Sequence, residues 1–255
     1  VADRVTVITR KVGAASTDGV LWESEGTGSY TIENTEKTTR GTEIILHLKE
    51  DSLDFLEEWK LRKVVKTYSD YLAYPVAMDI VHSEKPKDDE GKVIEDADAI
   101  ETIEEDVLNS QKALWTRSKE DISEDEYSEF YKHISGDFGN PLSTVHYNVE
   151  GNFEFNSVLF IPEKAPYDLF QQQGHKGIHL YVKRVYIMDD CKELMPEYLR
   201  FVKGVVDAAD LPLNVSREIL QEDKLIQKIQ KNLVKKVLDT LKIMKKKDSE
   251  KYLTF

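Results

Sequence analysis

The end of the chain constrains the fold most. Between Lys224 and Lys251, Ile226, Ile229, Leu233, Val237, Leu241 and Met244 recur at steps of three and four. That spacing lays them along one stripe of an α-helix. The same stretch holds ten lysines and three acidic residues, whose charges take the other faces while lysine stems cover the apolar margin. Such a helix draws its stability from packing rather than from propensity, so the preceding chain must supply a surface for the stripe. A basic helix can also lie on nucleic acid or a membrane surface, but so regular a stripe is first of all the pattern of a helix on a core. The net charge of −13 argues against a general nucleic-acid binder. No apolar run approaches the roughly 20 residues of a membrane span, and no signal peptide is visible. With 40% hydrophobic and 33% charged residues in 255, the composition is that of a soluble globular chain of one large or two modest domains.

Residues 1–50 read as an antiparallel meander. Val5–Thr9, Gly19–Trp22, Ser29–Ile32 and Thr42–Leu48 are short β-rich runs separated by Gly, Asp and Asn. In the last run Ile44, Leu46 and Leu48 alternate with Glu43, Ile45 and His47, so one face is expected to be buried more deeply. Gly41 and Thr42 open that strand after Arg40; a glycine there supplies backbone freedom, or lets a ligand approach closely. A helix is expected over 52–72, capped by Ser52, with Leu53, Leu56, Val64, Tyr68 and Leu72 near one stripe. Tyr74–Val81 reads as a further strand with Pro75 at its start. From Glu84 to Asp106 the composition shifts to eleven acidic residues against three lysines. Without usable periodicity, this reads as a linker or solvated loop with a frayed strand near Lys92–Ile94. A calcium loop is the alternative, but the regular spacing of acidic ligands is missing.

Beyond the linker, Ser123 and Glu126 form a capping box for a helix carrying Tyr127, Phe130, Tyr131 and Ile134 at i, i+3, i+4 and i+7. Strands are expected over Tyr147–Phe155, Ser157–Ile161 and Gly177–Ile187, then a helix over Glu197–Val206 opened by Pro196. Strands alternating with helices indicate a layered domain. The expected fold is thus α+β to α/β: a partial N-terminal antiparallel sheet with a helix (1–82), an acidic linker (83–109), and a layered α/β domain ending in the long amphipathic helix (110–255).

Motifs for self-contained chemistry are scarce. His175 and His179 have a zinc-like spacing, but Gly174 and Gly177 flank them and no second cysteine is available. Asp189-Asp190-Cys191 reads as an acidic turn at a strand end, whose carboxylates should raise the thiol pKa. The lone Cys191 cannot form an internal disulfide, which fits a reducing compartment. Neither a P-loop nor a glycine-rich dinucleotide loop is present. Asp210-Leu-Pro-Leu-Asn-Val-Ser-Arg-Glu-Ile-Leu-Gln221 is more informative. Pro212 interrupts regular structure, Asn214 and Ser216 are good N-caps, and Arg217 and Gln221 fall on one face of the ensuing helix. A guanidinium fork beside an amide at a helix start could read phosphate oxygens; on spacing alone the plainer reading is a surface Arg and Gln at an ordinary helix start.

That stretch, with Phe201–Asp207, Tyr181–Asp190, Ala113–Arg117, Val1–Val5, Trp22–Ser24, Arg40–Thr42 and Tyr74–Val76, resembles the heat shock protein 90 chaperone family, bacterial type, over essentially all 255 residues. The resemblance implies a fragment: the back half of an ATP-binding domain followed by the first part of a middle domain. Arg217 would then reach the ATP γ-phosphate, with Gln221 its partner, Asn214 a supporting group, Gly41 and Thr42 the edge of the nucleotide pocket, and Arg184 a further candidate at that interface. Trp115 would be an exposed aromatic touching unfolded or partly folded client proteins, or else a core tryptophan. ATP with Mg2+, a cytoplasmic homodimer and co-chaperones follow from the same resemblance, with no nucleic acid, membrane or protein-held metal. The residues that hold adenine and metal would lie upstream, leaving the fragment itself inactive. A non-catalytic protein-interaction module is the alternative. A mismatch-repair or topoisomerase subunit would carry a lysine where Arg217 and Gln221 stand.

Overall fold

The structure, a computed structural model, describes residues 1–84, 100–151, 153–165, 169, 177–212 and 223–254. It has mixed α+β content, as expected, and divides into two compact units, Val1–Lys63 and Val64–Phe255.

In the first unit β1 (Ala2–Arg10), β2 (Gly19–Ser24), β3 (Thr31–Thr35) and β4 (Gly41–Leu48) form an antiparallel sheet in the order β3-β2-β1-β4. Val7 pairs with Trp22 on one side and Ile44 on the other. The buried face expected of β4 is not found. Ile44 and Leu46 are 62% and 51% exposed, and Ile45 on the opposite face is 39% exposed. Alternation makes a strand two-faced, but burial also needs a second layer, and β4 is an edge strand. The helix expected over 52–72 is shorter. A 3-10 segment, Glu50–Leu56, precedes α1 (Glu58–Tyr68). Ser52 lies inside that segment and donates to Asp51 Oδ1 at 3.0 Å instead of capping, and Asp54 is paired with Lys60 at 2.6 Å. Short polar side chains with local partners favour turns over a helix interior.

The second unit is built on five strands: β7 (Pro141–Val149), β8 (Phe155–Pro162), β9 (Ile178–Val182), β10 (Val185–Met188) and β11 (Lys203–Ala208). Their order is β10-β9-β11-β8-β7, with β11 in the centre, antiparallel to β8 and parallel to β9. Period-2 alternation divides the core. Leu159, Ile161, Leu180 and Val206 meet Ile226, Ile229, Leu233 and Val237 of α3 (Lys224–Lys247). Val158, Phe160, Tyr181 and Val205 meet Tyr127, Phe130, Tyr131 and Ile134 of α2 (Glu124–Ser135). The sheet is therefore sealed on both faces, which is why β8 reads as a continuous apolar run. α3 buries the expected stripe, with Leu241 packed partly against it; α4 (Ser249–Thr254) follows. Both ends of α2 are as its residues dictate: Ser123 Oγ accepts from Glu126 N, Glu126 Oε2 accepts from Ser123 N at 2.9 Å, and Gly136 closes the helix at φ 69°.

Four expectations give way here. Residues 100–107 of the supposed linker form β6 (Ile100–Val107), paired with β5 (Ala77–Glu84) along its whole length. Val81 opposes Ile103 and Ala77 opposes Val107, so a strand forms despite the acidic content because its carboxylates stay in water. The strand near Lys92–Ile94 lies outside the described residues. Within the unit that begins at Val64, residues 69–76 are fastened to Asn109 and Ser110. Asn109 donates to the carbonyls of Leu72 and Tyr74 and accepts from Val76 N, while Asp70 accepts from Ser110 N at 2.9 Å. The run Gly177–Ile187 is two strands joined by Lys183 and Arg184, and Tyr147–Phe155 contains the turn between β7 and β8. Finally, Glu197–Val206 is one 3-10 turn, Glu197–Leu199, followed by β11. Val202, Val205 and Val206 favour a strand. Gly204, at φ 150°, passes so close to β8 that a Cβ would lie 2.3 Å from the Val158 carbonyl oxygen.

Candidate functional site

The chemically distinctive part of the second unit is the sheet end where β9 and β11 both finish. Tyr181 pairs with Asp207 there, and beyond β11 the chain continues through Asp210 to Pro212, the last residue described before the segment of Asn214, Arg217 and Gln221. Those three lie outside the described residues. On the far side the chain returns at Asp223, whose Oδ1 accepts from Leu225 N at 2.6 Å and Ile226 N at 3.3 Å to cap α3. Asp210 Oδ2 accepts from Glu154 N at 2.9 Å, fixing the turn after β11 to the β7–β8 connection.

Asp207 is 4% exposed. It accepts from the Trp115 indole at 2.9 Å and, through both oxygens, from the Arg184 main-chain N–H at 3.2 Å. Nothing in spacing marked Asp207, because its partners lie 92 and 23 residues away. Lys183 and Arg184 have φ of 52° and 65° and connect directly paired Val182 and Val185, the φ pattern of a type I′ hairpin turn. Two non-glycine residues in that region cost on the order of 1–3 kcal/mol each, so the Asp207 bonds offset a real penalty. Lys183 is exposed and Arg184 half-buried.

Beneath the turn is an aromatic cluster. Tyr71 meets Trp115, Tyr181 and Phe130 edge-on at 4.7, 5.7 and 6.4 Å between ring centroids, and Tyr68 meets Tyr186 at 5.7 Å. Burial, then the nearby Asp70, pushes the Tyr71 phenol up to about 12. Burial, then Asp189, takes Tyr186 to about 12, and Tyr181 is also pushed up, chiefly by burial. These rings stay neutral and act as packing. Trp115 is fully buried, so the aromatic expected to be exposed here is instead the core tryptophan of this cluster.

In the first unit, Gly41 has φ 112°, a conformation that glycine alone adopts freely. Thr42 Oγ1 shares a hydrogen bond with Thr9 Oγ1 at 2.8 Å, and both Gly41 and Thr42 are exposed. Arg10 holds the preceding turn through the Thr38 carbonyl at 3.1 Å. Of the other candidates, His179 lies in β9 while His175 is outside the described residues. Among the described residues no group of three His, Cys, Asp or Glu side chains is placed to hold a metal. The Cys191 thiol is driven up to about 12, by burial first and Glu193 second, the expected direction with burial the larger cause. No helix among the described residues is long and apolar enough to cross a membrane.

The chain belongs to the Hsp90 protein family, whose model matches residues 54–255. Within that family it is HtpG-like. It is 56% identical over 255 residues to Chaperone protein HtpG of Geobacter sulfurreducens, covering all of this chain and 39% of that protein. Against Chaperone protein HtpG of Mycobacterium tuberculosis it is 51% identical over 260 aligned positions, covering all of this chain and 40% of the relative. The chain thus spans about two fifths of the length of the curated relatives it matches.

Proposed function

We propose that this chain is the nucleotide-site edge and the arginine-bearing middle portion of an ATP-driven, cytoplasmic, homodimeric chaperone acting on unfolded or partly folded proteins, with co-chaperones as further partners. The observation that carries the reading is the sequence Asp210–Gln221, whose described residues 210–212 follow the central strand of a doubly covered sheet, in a chain this close to two bacterial chaperone proteins. Residues 1–82 would supply the pocket edge through Gly41 and Thr42, residues 83–109 the connection, and residues 110–255 the middle domain. Arg217 would meet the γ-phosphate of ATP·Mg2+, Gln221 and Asn214 would support it, and Arg184 would face the same interface.

Phosphoryl transfer asks the protein mainly to position groups and to balance charge developing on the phosphoryl oxygens. An always-charged, planar guanidinium suits that task, and an arginine delivered from another domain contributes about 10³–10⁵ in rate in well-studied cases. Because it arrives by docking, turnover is gated by a domain movement. Arg217→Ala in the full-length protein should lose most ATP turnover while nucleotide affinity stays within a few-fold. Unchanged turnover would sink the reading.

A further inference from the structure

We propose that Asp207 is a positioning residue for Arg184: its buried carboxylate sets the Lys183–Arg184 turn and thereby the presentation of the Arg184 side chain at the sheet end where the Asp210–Gln221 segment departs. The catalytic consequence rests on the function proposed above; the geometric part stands alone. Three observations combine. The turn puts two consecutive non-glycine residues at positive φ, a conformation their side chains disfavour. Both Asp207 oxygens lie 3.2 Å from the Arg184 main-chain nitrogen, and an ionised acceptor makes the stronger bond. The carboxylate itself cannot wander, because its Oδ2 is held by Trp115 Nε1 and Trp115 is wedged between Tyr71 and Tyr181 at 4.7 and 4.9 Å.

The order of control runs from the core outward. The aromatic cluster fixes Trp115, Trp115 fixes Asp207, Asp207 fixes the Arg184 backbone, and the backbone aims a half-buried cation. Tyr71 lies in the segment 69–76 that Asn109 and Asp70 fasten, so the position of that segment also reaches the turn through Trp115. A surface hairpin chosen only for easy folding would carry Asn-Gly or Gly-Gly here. Lys-Arg in its place, with a buried carboxylate to hold it, is a turn kept for what Arg184 presents.

The test compares Asp207→Asn with and without Lys183→Gly in the full-length protein. Asparagine keeps the shape but loses the charge and one acceptor oxygen; glycine at 183 makes the turn easy without Asp207. The single variant should turn over ATP at least about tenfold more slowly at saturation, with KM within twofold, and the Arg184 amide should exchange with solvent faster. Adding Lys183→Gly should bring turnover back to within about threefold of wild type and restore amide protection. Wild-type turnover and protection in Asp207→Asn would overturn the proposal. So would a loss that follows only the melting temperature and is not rescued. If Arg217→Ala turns over normally, the phosphate reading fails, and Arg184 amide protection with its rescue decides the positioning role by itself.

Discussion

The four-stranded and five-stranded sheets of this chain are made of similar residues and end in different states. β8, Phe155–Pro162, has Val158, Leu159, Phe160 and Ile161 with no exposed surface, because α2 covers one face of its sheet and α3 the other. β4, Gly41–Leu48, has Ile44, Ile45 and Leu46 all substantially exposed, although its pattern of side chains is as regular. Pleat and register come from the strand, while burial comes from what is laid upon it. Apolar surface contributes to stability only when removed from water, so within this chain the five-stranded sheet should carry the stability and the four-stranded sheet little of it.

Paired truncations test that contrast most severely. Phe160→Ala should cost about 3–5 kcal/mol, from lost burial and the cavity left behind. Ile44→Ala should stay within about 0.5 kcal/mol, since the side chain is already mostly in water. Denaturant unfolding can read both. The three tryptophans separate the units, with Trp22 and Trp59 reporting the first and Trp115 the second. Equal losses from the two substitutions would mean that the first sheet is covered in solution and would break the comparison.

How much of this was legible in the sequence depends on how local the determining interactions are. The α3 stripe and the Ser123–Glu126 capping box were readable because every interaction that defines them lies within one or two helical turns. The short helix expected at Glu197–Val206 failed because Leu199, Val202 and Val206 have helical spacing by coincidence. Gly204 and the β-branched valines answer instead to strand β8, some 45 residues earlier in the chain. The strand Ile100–Val107 was hidden because its acidic residues look like a solvated loop until Val81 and Ile103 are seen paired. The site divides similarly. Arg217, Gln221 and Arg184 are candidates by likeness to the family, and the first two lie outside the described residues. Asp207 carried no signal, because only folding brings Trp115 and Arg184 to it. Trp115 could be read either way, and its burial among Tyr71, Phe130 and Tyr181 decided it.

A smaller effect sharpens the contrast within the sealed sheet. Ser123→Ala removes the side-chain acceptor for Glu126 N and one half of a reciprocal cap. The Glu126 carboxyl is held down at about 2, first by its hydrogen bond from Arg117 and then by the Ser123 backbone N–H, so the other half of the cap survives. The expected loss is about 1 kcal/mol, read as a lower denaturant midpoint for Trp115 with Trp22 and Trp59 unaffected. A loss as large as that of Phe160→Ala would mean that α2, rather than the two-sided core, is the element on which the sheet depends.

The smallest effect concerns His146, which is half-buried beside α2. Its Nδ1 lies 2.6 Å from the Tyr127 hydroxyl and its Nε2 lies 3.4 Å from the Trp115 carbonyl. A carbonyl only accepts, so Nε2 carries the proton and the Nδ1 of the neutral ring accepts from Tyr127. Burial is the main cause that moves the His146 pKa below 6.5; the Trp115 carbonyl opposes it, Lys119 adds to it and Glu120 opposes it. With the folded value below the unfolded one, the unfolded chain binds more protons in that interval. Stability is therefore complete above about 6.5 and declines as pH falls through the lowered folded value. Protonation would also put a second N–H against the Tyr127 hydroxyl, which must turn to accept. The Trp115 transition should accordingly move to lower denaturant between pH 7 and 5.5, and His146→Gln should flatten that part of the slope. A slope unchanged by His146→Gln would assign the pH response to other groups.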